Sequence, residues 1–206
     1  MTGGPAPAAP PLILASASAS RAAMLKNVGL TVETIPAGVD EDSVKRSVRN
    51  EGGSAAQAAT LLAELKARRI SRNRPDALVI GADQMLQCGD DWYDKPETLA
   101  DARTHLQQLR GRSHMLITAA VVVRGDAVIW SHTDTATLAM RPFSDAFLDA
   151  YLARLGADSL ETVGCYRLEG AGAQLFSRID GDFFTILGLP LLPLLDFLRG
   201  HGILAE

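Results

Sequence analysis

Apolar and polar positions along this chain follow two periods, and the places where the period changes mark out the elements. Apolar, β-branched runs at 12–15, 31–35, 77–80, 115–124 and 127–140 predict strands. Helical spacing at 22–28, 54–70, 98–109, 144–155 and 191–199 predicts helices, with Ser54, Thr98 and Ser144 where N-caps belong. Gly89-Asp90 and Gly125-Asp126 predict tight turns. The long runs 115–124 and 127–140 are therefore antiparallel, and the sheet cannot be purely parallel. Thr133, Thr135 and Thr137 alternate with Asp134, Ala136 and Leu138, as a half-exposed strand does. The apolar stretch 183–198 is broken by Gly188, Pro190, Pro193 and Asp196, so it reads as a strand, a turn and a helix rather than a membrane span. Residues 1–11 read as a loose tail and 12–206 as one domain, with no repeat and no linker.

Three places in this pattern carry chemistry. The run 77–80 stops at Gly81, and the first charge after it is Asp83, an acid at the carboxyl end of a core strand, where open α/β sheets bind ligands. Lys95 follows closely, beside Asp94 and Pro96. A carboxylate and an ammonium beside a strand end suit a metal-bound polyphosphate; the plainer reading is a loop acid that caps the next turn. Small residues and hydroxyls at 16–20 lie between a strand and a helix N-terminus and form an anion cradle. Ser20 would otherwise serve as the cap. Arg21 in the first helical turn opposes the dipole, which favours the phosphate reading. Asp40, Glu41 and Asp42 form an acidic loop, either a solvated turn or oxygen donors for a hard divalent cation. Lys66, in the last half of a helix, complements the dipole in its plainest role.

Composition narrows the choices. With 206 residues, 47% hydrophobic and 21% charged, the chain can bury a full core. Its formal charge of −4 gives no basic field for a nucleic-acid backbone, while a local cation cluster can still hold a small anion. Cys88 and Cys165 stand far apart and outside any C-x-x-C, which argues against a disulfide framework or structural zinc. No secretory signal is read at 1–14, so a cytoplasmic protein with no membrane partner is expected. There is no P-loop, no G-x-S-x-G and no H-E-x-x-H, and the four histidines are scattered. Carboxylates and cations remain as the toolkit.

Six segments, in order, resemble the Maf family of nucleoside triphosphate pyrophosphatases: 12–18 with Arg21, 65–67, 80–84, 94–96, 109–114 and 179–190. The resemblance spans about residues 12–200. It implies an α/β fold, an elongated mixed sheet with flanking helices and two lobes around a deep cleft, related to the inosine-triphosphate pyrophosphatase fold. It implies a divalent metal, magnesium or manganese, release of pyrophosphate, and a homodimer. Asp83 falls on the family's catalytic base, Glu41 with Asp83 on its metal ligands, Lys66 and Lys95 on its lysines, and Ser16, Ser18 and Arg21 on its phosphate loop.

Ser20, Gln84 and Glu169 fall on the positions that set base preference, and the last two match the 7-methyl-GTP group rather than the dTTP/UTP group. Guanine offers only donors at N1 and N2, which a carboxylate can accept. The chain departs from that group in lacking an aromatic and a second arginine around Ser20–Ala22. Three other readings stand beside this one: a dTTP/UTP pyrophosphatase, a non-catalytic nucleotide-binding regulator of cell division, and an α/β phosphosugar enzyme.

Overall fold

The computed structural model describes residues 10–205, so the tail expected at 1–11 lies almost wholly outside the described residues. Seven strands form one mixed sheet in the order β2-β1-β3-β5-β6-β7, with β4 also paired to β3. They are β1 (Leu12–Leu14), β2 (Glu33–Thr34), β3 (Leu78–Cys88), β4 (Asp91–Tyr93), β5 (Ser113–Arg124), β6 (Ala127–Met140) and β7 (Phe176–Asp180). The helices are α1 (Ala19–Asn27), α2 (Glu41–Asn50), α3 (Ala55–Ser71), α4 (Leu99–Leu109), α5 (Asp145–Leu155), α6 (Phe183–Ile186) and α7 (Leu191–Gly200).

β1 runs parallel to β2 and β3, whereas β5, β6 and β7 continue antiparallel, so the expected mixed sheet is present. The turns at Gly89 and Gly125 are both in the positive-φ region, at 64° and 59°. Alternation along β3 divides two cores. Leu78, Ile80 and Ala82 face α1 and α7, and Val79 and Met85 face α3. A third core, around Leu86, Leu106, Leu138 and Tyr166, packs α4 and α5 against the far half of the sheet. These cores make the two lobes.

Four expectations change. β3 does not stop at Gly81; it runs on to Cys88, so Asp83 lies mid-strand. Gly81 is needed for packing: a Cβ there would meet the Ala63 carbonyl oxygen at 1.9 Å, so α3 lies directly on the strand. The acidic loop is instead the start of α2, capped by Asp40, whose side chain accepts from the Ser43 amide. Its acids sit in the first turn and Arg49 in the last, as the dipole favours. Ser18, not Ser20, caps α1. Residues 183–186 are the short α6, started by Asp182, not a strand.

No helix among the described residues is long and apolar enough to cross a membrane.

Candidate active site

The site forms where the sheet is interrupted. One edge of β3 is paired with β5 from Val79 to Gln87. The other edge carries β1 as far as Ile80 and β4 from Leu86 onward. Between them, residues 81–85 have no strand on this second edge. Arg21, projecting from α1, enters this gap. Its Nη1 donates to the Ala82 carbonyl at 2.9 Å and to Ser16 Oγ at 3.3 Å, and its Nε donates to the Gly188 carbonyl at 2.7 Å. Burial weighs most on its guanidinium and lowers its pKa, against the opposing pull of Asp83 and Glu41.

Asp83 shares its strand face with Gly81, so it points at α3. The buried face of α3 is mostly alanine, at Ala55, Ala58, Ala59, Ala63 and Ala67. Small residues there, over a glycine, bring the helix close enough for Lys66 to meet Asp83. Lys66 Nζ lies 2.6 Å from Asp83 Oδ1 and 2.6 Å from Glu41 Oε1. Asp83 is only 4% exposed. Burial raises its pKa more than Lys66 and Arg21 lower it, and the nearby Glu41 adds to the rise. Glu41, at the rim, goes the other way. Burial is the largest single influence on it and acts upward, but Lys66, Lys45 and Arg21 together hold it below the usual range.

The cleft around these groups has a volume of about 1050 Å³. Every residue picked out from the sequence lines it: Ser16, Ser18, Ser20, Arg21, Glu41, Lys66, Asp83, Gln84, Lys95 and Glu169. They are not equally free. Ser16 Oγ accepts from the Ser18 amide at 3.2 Å, and Ser18 Oγ accepts from the Arg21 amide at 3.4 Å. Both hydroxyls therefore shape the loop, which leaves the other first-turn amides of α1 for an anion. Ser20 Oγ donates to the Leu187 carbonyl at 3.3 Å. Lys95 is exposed and makes no ion pair among the described residues.

Gln84 lies on the opposite face of β3 from Asp83. Its Nε2 donates to Thr118 Oγ1 at 2.8 Å and to the carbonyls of Thr185 at 2.9 Å and Ile186 at 3.1 Å. Carbonyls only accept, so the amide cannot be flipped, and its oxygen is the end left for a ligand. Thr185 is held in turn by Asp134, whose Oδ2 accepts from Thr185 Oγ1 at 2.8 Å. Thr118 and Thr185 were not picked out from the sequence, and only register across β3 and β5 (Gln84 opposite Thr118) reveals the first. Glu169 sits exposed on a turn of the second lobe. That turn is anchored by Tyr166, whose ring packs edge-on against Phe176 at 4.8 Å and whose hydroxyl lies 2.6 Å from His114 Nε2. Burial lowers the His114 pKa to about 4, so this histidine is neutral and structural.

The two carboxylates expected to hold a metal, Glu41 and Asp83, stand on either side of the Lys66 ammonium. Among the described residues no group of three or more His, Cys, Asp or Glu could hold an ion. Two carboxylates fit a divalent ion that takes its other ligands from phosphate and water.

A family model for Maf-like proteins matches residues 11–201. This chain belongs to the Maf family. Among its Maf relatives, a nucleoside triphosphate pyrophosphatase of Granulibacter bethesdensis is 56% identical over 94% of this chain and 98% of its own length. Another from Rhodospirillum rubrum is 52% identical over 95% and 96%. A 7-methyl-GTP pyrophosphatase of Rhizobium meliloti is 50% identical over 94% and 97%.

Proposed function

We propose that this chain hydrolyses a nucleoside triphosphate to the monophosphate and pyrophosphate. The observation that carries this is the Glu41–Lys66–Asp83 bridge, set in a cleft of nucleotide size beside a helix N-terminus. The names of relatives at 50–56% identity support the same reaction.

Asp83, buried and with a raised pKa, takes the proton of the attacking water. The oxygen of that water bonds to the α-phosphorus, the bond to the bridging oxygen breaks, and pyrophosphate leaves. Lys66 keeps Asp83 oriented and holds Glu41 toward it. The first-turn amides of α1, the remaining Nη2 of Arg21, and Lys95 bind phosphate oxygens. A magnesium or manganese ion held by Glu41, Asp83 and the phosphates would polarise the phosphoryl oxygens and offset their charge.

For the base, the free oxygen of Gln84 and the carboxylate of Glu169 are both acceptors, which suits the all-donor N1–N2 edge of guanine and the added positive charge of 7-methyl-GTP. A homodimer, on the family resemblance, and a cytoplasmic setting, on two free cysteines that fit a reducing compartment, complete the proposal, and light scattering tests the first.

The deciding assay measures pyrophosphate release with magnesium from 7-methyl-GTP, GTP, UTP, dTTP and CTP. The expected result is fastest release from 7-methyl-GTP. Preference for UTP or dTTP overturns the base assignment, and release from none overturns the reaction and favours a binding protein.

A further inference from the structure

The cations of the site have unequal capacity for a polyphosphate. Lys66 is matched by two carboxylates, and Arg21 spends Nε and Nη1 on oxygens of the fold. Yet a triphosphate brings roughly four negative charges at neutral pH. α2 supplies the missing counter-charge, because Lys45, Arg46 and Arg49 all line the cleft.

These three differ. Arg49 is tied to the β3–β4 turn: its Nη2 donates to the Asp90 carbonyl at 2.6 Å, and its guanidinium lies 5.0 Å from the centre of the Trp92 ring. Lys45 is drawn inward. α2 buries no residue, yet the Lys45 side chain is only 14% exposed. Its Nζ lies 2.5 Å from Asp94 Oδ1 and 3.8 Å from Glu41 Oε2. Asp94 itself is 56% exposed and returns to water at little cost. The helix is bounded by Gly38 (φ 58°) and Gly52 (φ 75°), two backbone positions that admit a change of direction.

We propose, resting on the triphosphate reading above, that Lys45 is a further substrate-binding residue. Its ammonium leaves Asp94 for a phosphate oxygen of the incoming triphosphate, and α2 closes over the cleft as it does so. A purely structural role makes a different forecast, because Lys45→Gln and Asp94→Asn break the same pair and would then act in the same direction.

The test is calorimetric binding of inorganic tripolyphosphate with magnesium to the full chain and its variants. Lys45→Gln should weaken binding about tenfold, the ratio that matches one charge-assisted hydrogen bond, and Lys45→Arg should restore most of it. Asp94→Asn, which frees the ammonium, should tighten binding severalfold. Weakening by both substitutions, or no change in Asp94→Asn, overturns the proposal. Because Asp94 also lines the cleft, its removal alone favours any anion, so the tightening by Asp94→Asn must vanish when Lys45→Gln, or Lys45→Met if that variant does not fold, is added; tightening that persists in the double variant overturns the proposal. Tripolyphosphate binding is read separately from nucleotide turnover, so opposite shifts without pyrophosphate release from any nucleotide would remove the reaction and leave the phosphate site standing.

Discussion

On one wall of the cleft, Asp83 and Lys66 stand on β3 and α3, whose contact face of alanines over Gly81 is closed to solvent. On the opposite wall, α2 carries Glu41, Lys45 and Arg49 and fully buries no residue; it is attached through the half-buried Val48 on the alanine core, ion pairs to Lys66 and Asp94, one hydrogen bond and one cation–π contact. Apolar packing allows few alternative arrangements, whereas exposed charge pairs contribute little each and exchange readily. The proposed base, Asp83, therefore stands on the rigid wall, where displacement by an ångström is costly, and Lys45, the proposed further phosphate ligand, stands on the yielding one.

This contrast can be broken from either side. Asp83→Asn should lower turnover by about 10²–10⁴ with the fold intact, measured as pyrophosphate release beside a melting curve. Near wild-type turnover would move the base elsewhere. Gly81→Ala should cost about 1–3 kcal/mol or more of stability, because α3 must back away from the strand, and the same shift should lower activity by pulling Lys66 off Asp83. Chemical denaturation reads the first effect and turnover the second.

A third prediction concerns pH. Only ionised Asp83 accepts a proton, and its folded pKa is raised, so activity should fall as pH drops through a value above the ordinary 3.8. Lys66→Met removes a lowering influence and should move that acid limb further up; an unmoved or lowered limb contradicts the arrangement. The smallest effect is on motion. Salt screens exposed ion pairs, so hydrogen exchange should quicken in α2 between low and high ionic strength while α3 stays protected.

The same contrast explains what the sequence disclosed. α3, α4 and α5 were legible because each begins at a capping side chain and buries a spaced apolar or small-residue face. The β5–β6 hairpin was legible from its two long runs. α2 escaped because its apolar stripe is only Val44 and Val48 among charges; Asp40 before two acids, with Arg49 and Gly52 at the far end, was the available signal. The extent of β3 escaped because Gly81 looked like a stop, and only a helix lying on it reveals its purpose. The predicted site residues all meet in one cleft, yet sequence could not tell that Ser16 and Ser18 support Arg21, or that Lys66 stands between the two acids. Those are facts of three-dimensional pairing.

The five-residue break beside β3 also bears on how the protein keeps to itself. At about 3.3 Å per residue it spans roughly 17 Å, room for a nucleotide. An unzipped border in a sheet invites foreign strands to dock and start aggregation. Here β1 and β4 act as bookends, and a guanidinium already occupies the Ala82 carbonyl, so a small guest is admitted where an intruding polypeptide finds neither the length nor the free acceptor to take hold.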